Sequence, residues 1–184
     1  ATDVLPLVTD VRDSQAVADA FAQTMAKFGR LDILVNNAAV TQIKTIDQLT
    51  DEDIDWIIDT DLKGYVYCAR EAAKIMKPAG RGSILMLSSK NGIVAAAEKC
   101  LYSAVKGGEL TLSRSLAMEL GKFGIRVNAI CPDAVHEGSA LWEDDRYRLG
   151  TAKRYGIAES EISDYYRNRT ALKVNITAED IANA

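Results

Sequence analysis

Hydrophobic residues form two kinds of pattern along this chain. Short continuous apolar runs at residues 4–8, 31–35, 83–87 and 126–130 predict buried strands of a parallel sheet. Longer segments between these runs repeat hydrophobic residues every three or four positions, which predicts amphipathic helices. Because strands and helices alternate, the pattern predicts an α/β fold.

Capping residues mark the predicted helix ends. A first helix ends at Gly29, which suits a C-terminal cap. Thr50 opens the capping pattern of a long helix that ends near Met76 and is followed by a turn at residues 78–82. A third long helix occupies residues 101–120.

The composition is that of an ordinary soluble globular protein. The chain has 184 residues, of which 48% are hydrophobic and 26% charged, so it is at most one domain long. A net charge of −4 gives no basis for binding nucleic acid or an anionic membrane. No apolar run approaches the ~20 residues of a membrane span, and no signal peptide opens the chain.

The cysteines and the single histidine do not suggest a metal site. Cys68, Cys100 and Cys131 are far apart and odd in number, so we expect reduced thiols and a cytoplasmic protein. His136 cannot build a metal site alone, and we predict that the protein binds no metal.

The side chains that could take part in a reaction lie between residues 83 and 120. Ser89 follows the predicted strand, and Tyr102 and Lys106, four residues apart near a helix start, project from one side. A free tyrosine has a pKa of ~10, and we expect the nearby ammonium to lower it. Tyr102 can then exchange a proton with a carbonyl or alcohol oxygen that Ser89 holds. None of the three carries a hydride, so the reaction needs a cofactor.

A tyrosine and a lysine four residues apart also occur on ordinary helix surfaces, and the accompanying residues make the pattern specific. Ser89 lies 13 residues before Tyr102, and Asn37, in the run Asn36-Asn37-Ala38-Ala39, lies 65 residues before it. The order and spacing of these Ser, Tyr, Lys and Asn-Asn-Ala motifs resemble the short-chain dehydrogenase/reductase family. The resemblance covers essentially the whole chain.

The resemblance implies a fold, an activity and a cofactor. The fold is a doubly wound parallel sheet of the Rossmann type with three layers, and residues 1–184 form one partial domain of it. The activity is that of an NAD(P)-dependent oxidoreductase, which transfers a hydride between nicotinamide and a secondary alcohol or carbonyl. NAD is slightly favoured over NADP. Family members usually form dimers or tetramers through two long helices, so we expect a homo-oligomer.

The resemblance also assigns cofactor-binding residues by position. Asp10 and Val11 correspond to residues that contact the adenine, and Asn37 corresponds to a residue against the ribose. Val135 belongs to the backbone that surrounds the nicotinamide carboxamide. An alternative for Asp10 is that it belongs to the cap of the following helix.

One carboxylate lies on the buried stripe of the long predicted helix. Asp61 follows Ile54 by seven residues, and a buried carboxylate is costly unless it is paired. The family has an asparagine here, which completes the catalytic site through a water chain to the lysine. In the family the lysine and tyrosine also contact the nicotinamide ribose, as Lys106 and Tyr102 would. We expect Asp61 to pair with Lys106 and to weaken the effect of Lys106 on Tyr102.

Two other positions depart from the family pattern. The segment around one of them, Asp133, indicates a subgroup of the family. Ala39 and Asp133 stand where the family usually has glycine. The segment 132–142 and residues 166–170 resemble the dehydrogenase part of bifunctional rhamnulose-phosphate aldolase/short-chain dehydrogenase proteins, as does Ser89 with the two residues after it. This resemblance implies a polyol or a sugar-derived hydroxy-aldehyde as the substrate.

Residues 136–170 would form a substrate lid. Trp142, Tyr155 and Arg169 combine apolar bodies with polar tips and are candidates for contacting a hydroxylated ligand. The alternative is that the same three residues serve only to pack the lid.

Elements of the family fold are missing from both ends of the sequence. The chain contains no Gly-x-Gly-x-x-Gly turn, which would follow the first strand and hold the pyrophosphate. Thr177 caps a helix that starts only a few residues before the chain stops. We therefore expect a partial chain that lacks the first βαβ element and exposes apolar sheet faces.

Two hypotheses remain open. In the first, the protein is an oxidoreductase with Ser89, Tyr102, Lys106 and Asp61 in its catalytic site. In the second, it is a non-catalytic family member or fragment that keeps the fold and the oligomer interface. Retention of the Ser, Tyr and Lys side chains favours the first, and the substitution by Asp61 favours the second.

Overall fold

The computed structural model describes residues 3–184 and divides the chain into two compact units. The first unit ends at Cys131 and the second begins at Pro132. Whether both belong to one domain, as the sequence predicts, stays a prediction.

A parallel sheet of three strands forms the centre of the first unit. Its order is β1-β2-β3, with β1 at Ile33–Asn36, β2 at Gly82–Leu87 and β3 at Ile125–Ile130. Both neighbouring pairs are parallel, so the α/β prediction is confirmed. Because the strands run in the same direction, the residues that follow them leave the sheet at one edge.

Four α-helices connect and flank the strands of the first unit. They are α1 (Ser14–Phe28), α2 (Asp51–Ile57), α3 (Gly64–Ala79) and α4 (Cys100–Leu120). The predicted caps are present: Gly29 ends α1 in the left-handed conformation at φ 69°, and the Thr50 side chain accepts from the N–H of Asp53. Short 3₁₀ turns occupy Ile46–Gln48, Lys90–Gly92 and Gly121–Phe123.

The hydrophobic core lies between one face of the sheet and helices α3 and α4. Ile84 and Met86 alternate along β2 with half-buried neighbours, as the pleat of a strand requires. The opposite face of β1 is open, because Ile33 and Val35 are 64% and 52% exposed. The expected exposed apolar face is therefore present. The core residues are Tyr65, Ala69, Ala72, Met76, Ile84, Met86, Leu120, Ile125 and Val127.

The predicted strand at residues 4–8 is wrong. Within residues 3–184 this segment pairs with no strand, although its side chains alternate between exposed and half-buried like those of an extended chain. Val8 is fully exposed, and the carbonyl of Val4 accepts from Lys27 Nζ at 2.8 Å. A strand needs a hydrogen-bonded neighbour, and β1 pairs only with β2 among the described strands.

The long helix predicted from residue 50 to Met76 is divided by a π-helical segment at Ile58–Lys63. The N–H of Gly64 bonds to the carbonyl of Asp59, five residues back, so one extra residue is inserted into the turn. The predicted turn at residues 78–82 is also too early, because α3 continues through Pro78 to Ala79. Pro78 cannot donate to the carbonyl of Lys74, four residues back, and the helix ends one residue after it.

The second unit consists of residues 132–184 and contains the predicted lid. Strands β4 (Val135–Glu137) and β5 (Ile176–Thr177) pair in parallel. Thr177 and Asp180 form the predicted capping box of the last helix. The helices of this unit are α5 (Asp145–Tyr155), α6 (Ile162–Arg169) and α7 (Ala178–Asn183), with 3₁₀ turns at Ala140–Trp142 and Glu159–Glu161. Among residues 3–184, no helix is both long enough and apolar enough to cross a membrane.

Candidate active site

The carboxyl ends of β1 and β2 bring the predicted site residues to one edge of the sheet. Asn37 follows β1 and is exposed, whereas Ser88 and Ser89 follow β2 and are buried. The neighbouring Asn36 is buried, and its amide donates to the carbonyl of Tyr65 at 3.3 Å. This bond ties the end of β1 to helix α3.

A close backbone contact joins the segment after β2 to helix α4. A Cβ atom placed on Gly92 would lie 2.7 Å from the carbonyl carbon and oxygen of Lys106. The hydroxyl of Ser88 donates to the same carbonyl oxygen at 2.8 Å. The contact between Gly92 and Lys106 was not predicted from the sequence, because it joins segments that are 14 positions apart.

The structure brings Ser89, Tyr102 and Lys106 together in the first unit. A side-chain hydrogen bond links the hydroxyl groups of Ser89 and Tyr102. The backbone N–H of Asn91 donates to Ser89 Oγ at 3.1 Å, which holds this hydroxyl in place. Lys106 Nζ lies 5.7 Å from the centroid of the Tyr102 ring. A phenol, a hydroxyl and an ammonium therefore occupy one site.

Two carboxylates surround the Lys106 ammonium. Lys106 Nζ donates to Glu109 Oε1 at 2.8 Å and lies 3.4 Å from Asp61 Oδ2, so the expected pairing with Asp61 is present. It also donates to the carbonyl of Leu87 at 3.1 Å. Lys106 is 1% exposed, and Asp61 and Glu109 are fully buried. All three charged groups thus lie in the interior.

Asp61 is placed by the π-helical segment and holds the loop after β1. Its Oδ1 accepts from the backbone N–H of Val40 at 2.8 Å. Burial raises the pKa of Asp61 to about 6, although the Lys106 charge and the bond from Val40 act in the opposite direction.

The pKa of Tyr102 is shifted in the direction opposite to the one expected. Burial raises it to about 12, the hydrogen bond with Ser89 lowers it, and the charges of Asp61 and Glu109 raise it further. The expected net lowering of this pKa is therefore wrong, because burial dominates.

Glu109 is a site residue that was not predicted from the sequence. Burial raises its pKa to about 8, against the opposing effect of Lys106. The available signal was a carboxylate three residues after Lys106, since positions i and i+3 of a helix lie on one face.

The glycines that follow Lys106 face neighbours within the same unit. A Cβ atom on Gly107 would lie 3.4 Å from the carbonyl of Gly92, and one on Gly108 would lie 3.5 Å from Leu62. The close approach that these small residues permit is therefore made inside the chain.

The residues predicted to bind the adenine lie before helix α1. The Asp10 carboxylate accepts from the backbone N–H of Arg12 at 2.9 Å and from the Arg12 guanidinium at 2.7 Å. These bonds lower the pKa of Asp10 to about 2. Asp13, rather than Asp10, caps α1 with its side chain. Val11 packs against Gly64 at the start of α3. The predicted cofactor contacts of Asp10, Val11 and Asn37 stay predictions.

The remaining predicted residues belong to the second unit, where their polar groups have partners. Trp142 Nε1 donates to the carbonyl of Val135 at 2.7 Å, and the indole stacks on His136 with ring centroids 4.5 Å apart. Arg169 lies over the rings of Tyr165 and Tyr166, at 5.5 Å from each. Tyr155 stacks on Tyr165 at 4.5 Å. These contacts favour the packing alternative for Trp142, Tyr155 and Arg169.

Comparison with known proteins decides the family. The family model described as short chain dehydrogenase matches residues 1–146. The chain belongs to the short-chain dehydrogenase family. It is 41% identical to the oxidoreductase YuxG of Bacillus subtilis over 176 residues, which cover 95% of this chain and 25% of that protein. The chain spans about a quarter to a half of the length of this and other curated relatives.

Solved structures of the family share the fold of this short-chain dehydrogenase. Sorbitol-6-phosphate 2-dehydrogenase from Erwinia amylovora is 30% identical and superimposes with a TM-score of 0.84, covering 95% of this chain and 68% of that chain. A gluconate 5-dehydrogenase from Burkholderia cenocepacia, in complex with NADP and tartrate, is 27% identical with a TM-score of 0.70 over 80% and 58%. The Rossmann-type fold class is therefore confirmed.

Proposed function

We propose that this chain is part of an NAD(P)-dependent oxidoreductase that transfers a hydride between nicotinamide and a secondary alcohol or carbonyl. The observation that carries the proposal is the hydrogen bond between Ser89 and Tyr102 beside the buried Lys106 ammonium. The same three side chains have the order and spacing of the family motif.

The three side chains have separate tasks in this proposal. Ser89 donates a hydrogen bond to the substrate oxygen, and the Asn91 N–H keeps its hydroxyl oriented. In alcohol oxidation Tyr102 takes the hydroxyl proton, and in carbonyl reduction it returns that proton to the oxygen. The nicotinamide, when bound, supplies or accepts the hydride. Lys106 and Tyr102 would hold the nicotinamide ribose, and Asp61 would take the place of the family asparagine.

The described residues fit the two ends of a dinucleotide but not its pyrophosphate. Exposed Asn37 and buried Ser89 leave the sheet at its carboxyl edge, where ligands of open α/β sheets bind. Within residues 3–184 there is no glycine-rich turn at a helix N-terminus to hold the pyrophosphate. We therefore assign the nicotinamide, its ribose and, through Asp10 and Val11, the adenine to this chain, but not the pyrophosphate.

The substrate class we propose is a polyol or a sugar-derived hydroxy-aldehyde. Two structural relatives, a sorbitol-6-phosphate dehydrogenase and a gluconate dehydrogenase, carry names of polyhydroxylated substrates. Three quarters of the Bacillus subtilis relative lies outside the matched region, which suits a dehydrogenase joined to a second part. We propose that this chain is the dehydrogenase part of such a bifunctional protein, with the aldolase part elsewhere.

The cofactor, the cellular location and the oligomeric state are proposed from the family. We propose NAD as the first cofactor to test, and NADP as the second because the gluconate dehydrogenase structure holds it. We propose a cytoplasmic homo-oligomer, dimer or tetramer, because Cys68, Cys100 and Cys131 are free thiols and α3 and α4 correspond in position to the two long helices through which family members usually associate.

The test is turnover by the full-length protein with Tyr102→Phe. Wild-type protein should form NADH or NADPH from polyols, and Tyr102→Phe should reduce kcat at least ~100-fold, because the phenol is the acid/base group. Tyr67→Phe, which removes a phenol on α3 outside the site, is the matched control and should keep the wild-type rate. Undiminished turnover in Tyr102→Phe would show that the catalytic assignment is wrong.

The second candidate function is a non-catalytic member of the family. The buried ion pair of Lys106 with Asp61 and the raised pKa of Tyr102 favour it, because both disfavour the phenolate. A titration of the full-length protein with NADH and NADPH, followed by tryptophan fluorescence, separates the two candidates. Binding without turnover of any polyol or hydroxy-aldehyde would support this second function.

A further inference from the structure

The charges around Lys106 do not balance when every group is ionised. One ammonium faces two carboxylates, Asp61 and Glu109, so the fully ionised cluster carries a net charge of −1. Each of the three side chains is at most 1% exposed. An uncompensated charge is strongly unfavourable in the interior, and such groups change protonation state instead.

Each of the two carboxyl groups has one oxygen that accepts no hydrogen bond from residues 3–184 and could carry a proton. Glu109 Oε1 accepts from Lys106 and Asp61 Oδ1 accepts from Val40, whereas Asp61 Oδ2 and Glu109 Oε2 make no hydrogen bond within the described residues. Ser88 faces Glu109, and its hydroxyl proton is directed at the Lys106 carbonyl. The hydrogen bond with Ser88 lowers the pKa of Glu109, but burial raises it by more.

We propose that Asp61 and Glu109 share a single proton around Lys106, and that Glu109 is a positioning residue that sets the pH at which Tyr102 ionises. The first half needs only the buried cluster, and the second half rests on the proposed function. Glu109 touches neither substrate nor cofactor in this assignment and acts through Lys106 and its charge.

The surroundings of the two carboxyl groups decide which of them loses its proton at the lower pH. Asp61 keeps a backbone hydrogen bond to its carboxylate, and its pKa of about 6 lies below the value of about 8 for Glu109. One proton therefore stays on the pair at neutral pH, where the cluster is neutral, and the backbone donor to Asp61 favours Glu109 as its carrier. The groups that face Glu109 and Tyr102 are Asp61 from the π-helical segment, Tyr65 from α3, Lys106 from α4, Cys131 after β3 and Lys99 before α4.

Loss of the shared proton should raise the pKa of Tyr102. When Glu109 ionises, a second negative charge faces the phenol and opposes formation of the phenolate. Alcohol oxidation needs that phenolate as a base, whereas carbonyl reduction needs the neutral phenol as an acid. Glu109→Gln keeps the acceptor for Lys106 but removes the negative charge, so the rise of oxidation rate with pH should move ~1 pH unit lower.

Infrared spectroscopy of the full-length protein tests the shared proton without any turnover. Wild-type protein at neutral pH should show the carbonyl stretch of a buried protonated carboxylic acid, which disappears as the pH rises through about 8. Glu109→Gln should lack this band, and Glu52→Gln, an exposed glutamate at the start of α2, should retain it. Absence of the band from wild-type protein overturns the shared proton, and its persistence in Glu109→Gln overturns the assignment to Glu109.

The pH profile of oxidation tests the positioning role separately. Glu109→Gln should shift the profile to lower pH, and Glu109→Asp, which restores a titrating carboxyl, should shift it back towards wild type. An unshifted profile in Glu109→Gln overturns the effect on Tyr102 even when the infrared band behaves as expected. If wild-type protein shows no turnover, the proposed function fails while the infrared band still decides the shared proton, and the ultraviolet titration of Tyr102 replaces the rate profile.

Discussion

The backbone of Gly92 lies against the backbone of Lys106, so that a Cβ atom on Gly92 would come within 2.7 Å of the Lys106 carbonyl. This contact connects the segment that carries Ser89 with the helix that carries Tyr102 and Lys106. The relative position of the hydroxyl and the phenol therefore depends on a residue without a side chain.

Gly92→Ala should damage both stability and activity. The added methyl group meets backbone atoms that cannot rotate away, so we expect a loss of ~1–3 kcal/mol in the free energy of unfolding. The kcat of polyol oxidation should fall at least ~10-fold, since small misplacements of catalytic groups are costly. Chemical denaturation and steady-state rates measure the two effects.

The matched control for this variant is Gly121→Ala. Gly121 has helical dihedral angles, and a Cβ atom there meets nothing within 4 Å. We expect unchanged activity and a free energy of unfolding within ~1 kcal/mol of wild type. Equal losses in both variants would contradict the role of the close contact.

Asp61→Asn should move the pH dependence of alcohol oxidation to lower pH. The substitution removes a negative charge that raises the pKa of Tyr102, so the phenolate forms at lower pH. Asp59→Asn provides the control, because Asp59 lies in the same π-helical segment but binds the partly exposed Lys63 at 2.8 Å. A profile that is identical in wild type and Asp61→Asn would count against electrostatic coupling to Tyr102.

The adjacent residues Ser88 and Ser89 should show separable effects. Ser88→Ala removes the hydrogen bond to the Lys106 carbonyl and should cost ~1 kcal/mol of stability. Ser89→Ala removes the bond that lowers the pKa of Tyr102 and the proposed support of the substrate oxygen, so kcat should fall ~100-fold. Denaturation curves and initial rates of both variants distinguish the two roles, and a larger rate loss in Ser88→Ala would reverse them.

The stability of the protein should decrease as the pH rises from about 4.5 to about 8 because of Glu109. The folded pKa of about 8 lies above the ordinary value of 4.5, so the folded state binds the proton more tightly than the unfolded state. This contribution is fully present at low pH and is lost as the pH rises through the folded pKa. Glu109→Gln should flatten the dependence, measured by denaturation at several pH values, whereas Glu52→Gln should leave it unchanged.

Trp142→Phe should lower the stability of the second unit. The Val135 carbonyl loses its donor at 2.7 Å, and the stack on His136 shrinks, which together should cost ~1–2 kcal/mol. Hydrogen exchange of residues 132–184 in the full-length protein measures the effect. Trp56→Phe replaces a 41% exposed tryptophan on α2 and should leave that exchange unchanged.

Local patterns predicted most of the first unit correctly, because helix caps and apolar runs are properties of neighbouring residues. Gly29 and Thr50 cap the helices they were expected to cap. The strand predicted at residues 4–8 failed because strands are stabilised by partners distant in the sequence. The π-helical segment was missed because a single inserted residue changes the helical phase without changing the composition.

The sequence by itself determined the α/β class, the motif of Ser89, Tyr102 and Lys106, and the presence of Asp61 on a buried face. These are matters of residue type and spacing. Only the tertiary structure decided that Glu109 joins Asp61 at the Lys106 ammonium, that Gly92 sets the distance between the two halves of the site, and that burial raises the pKa of Tyr102. Burial and charge balance depend on which distant segments meet, and that is fixed by packing in three dimensions.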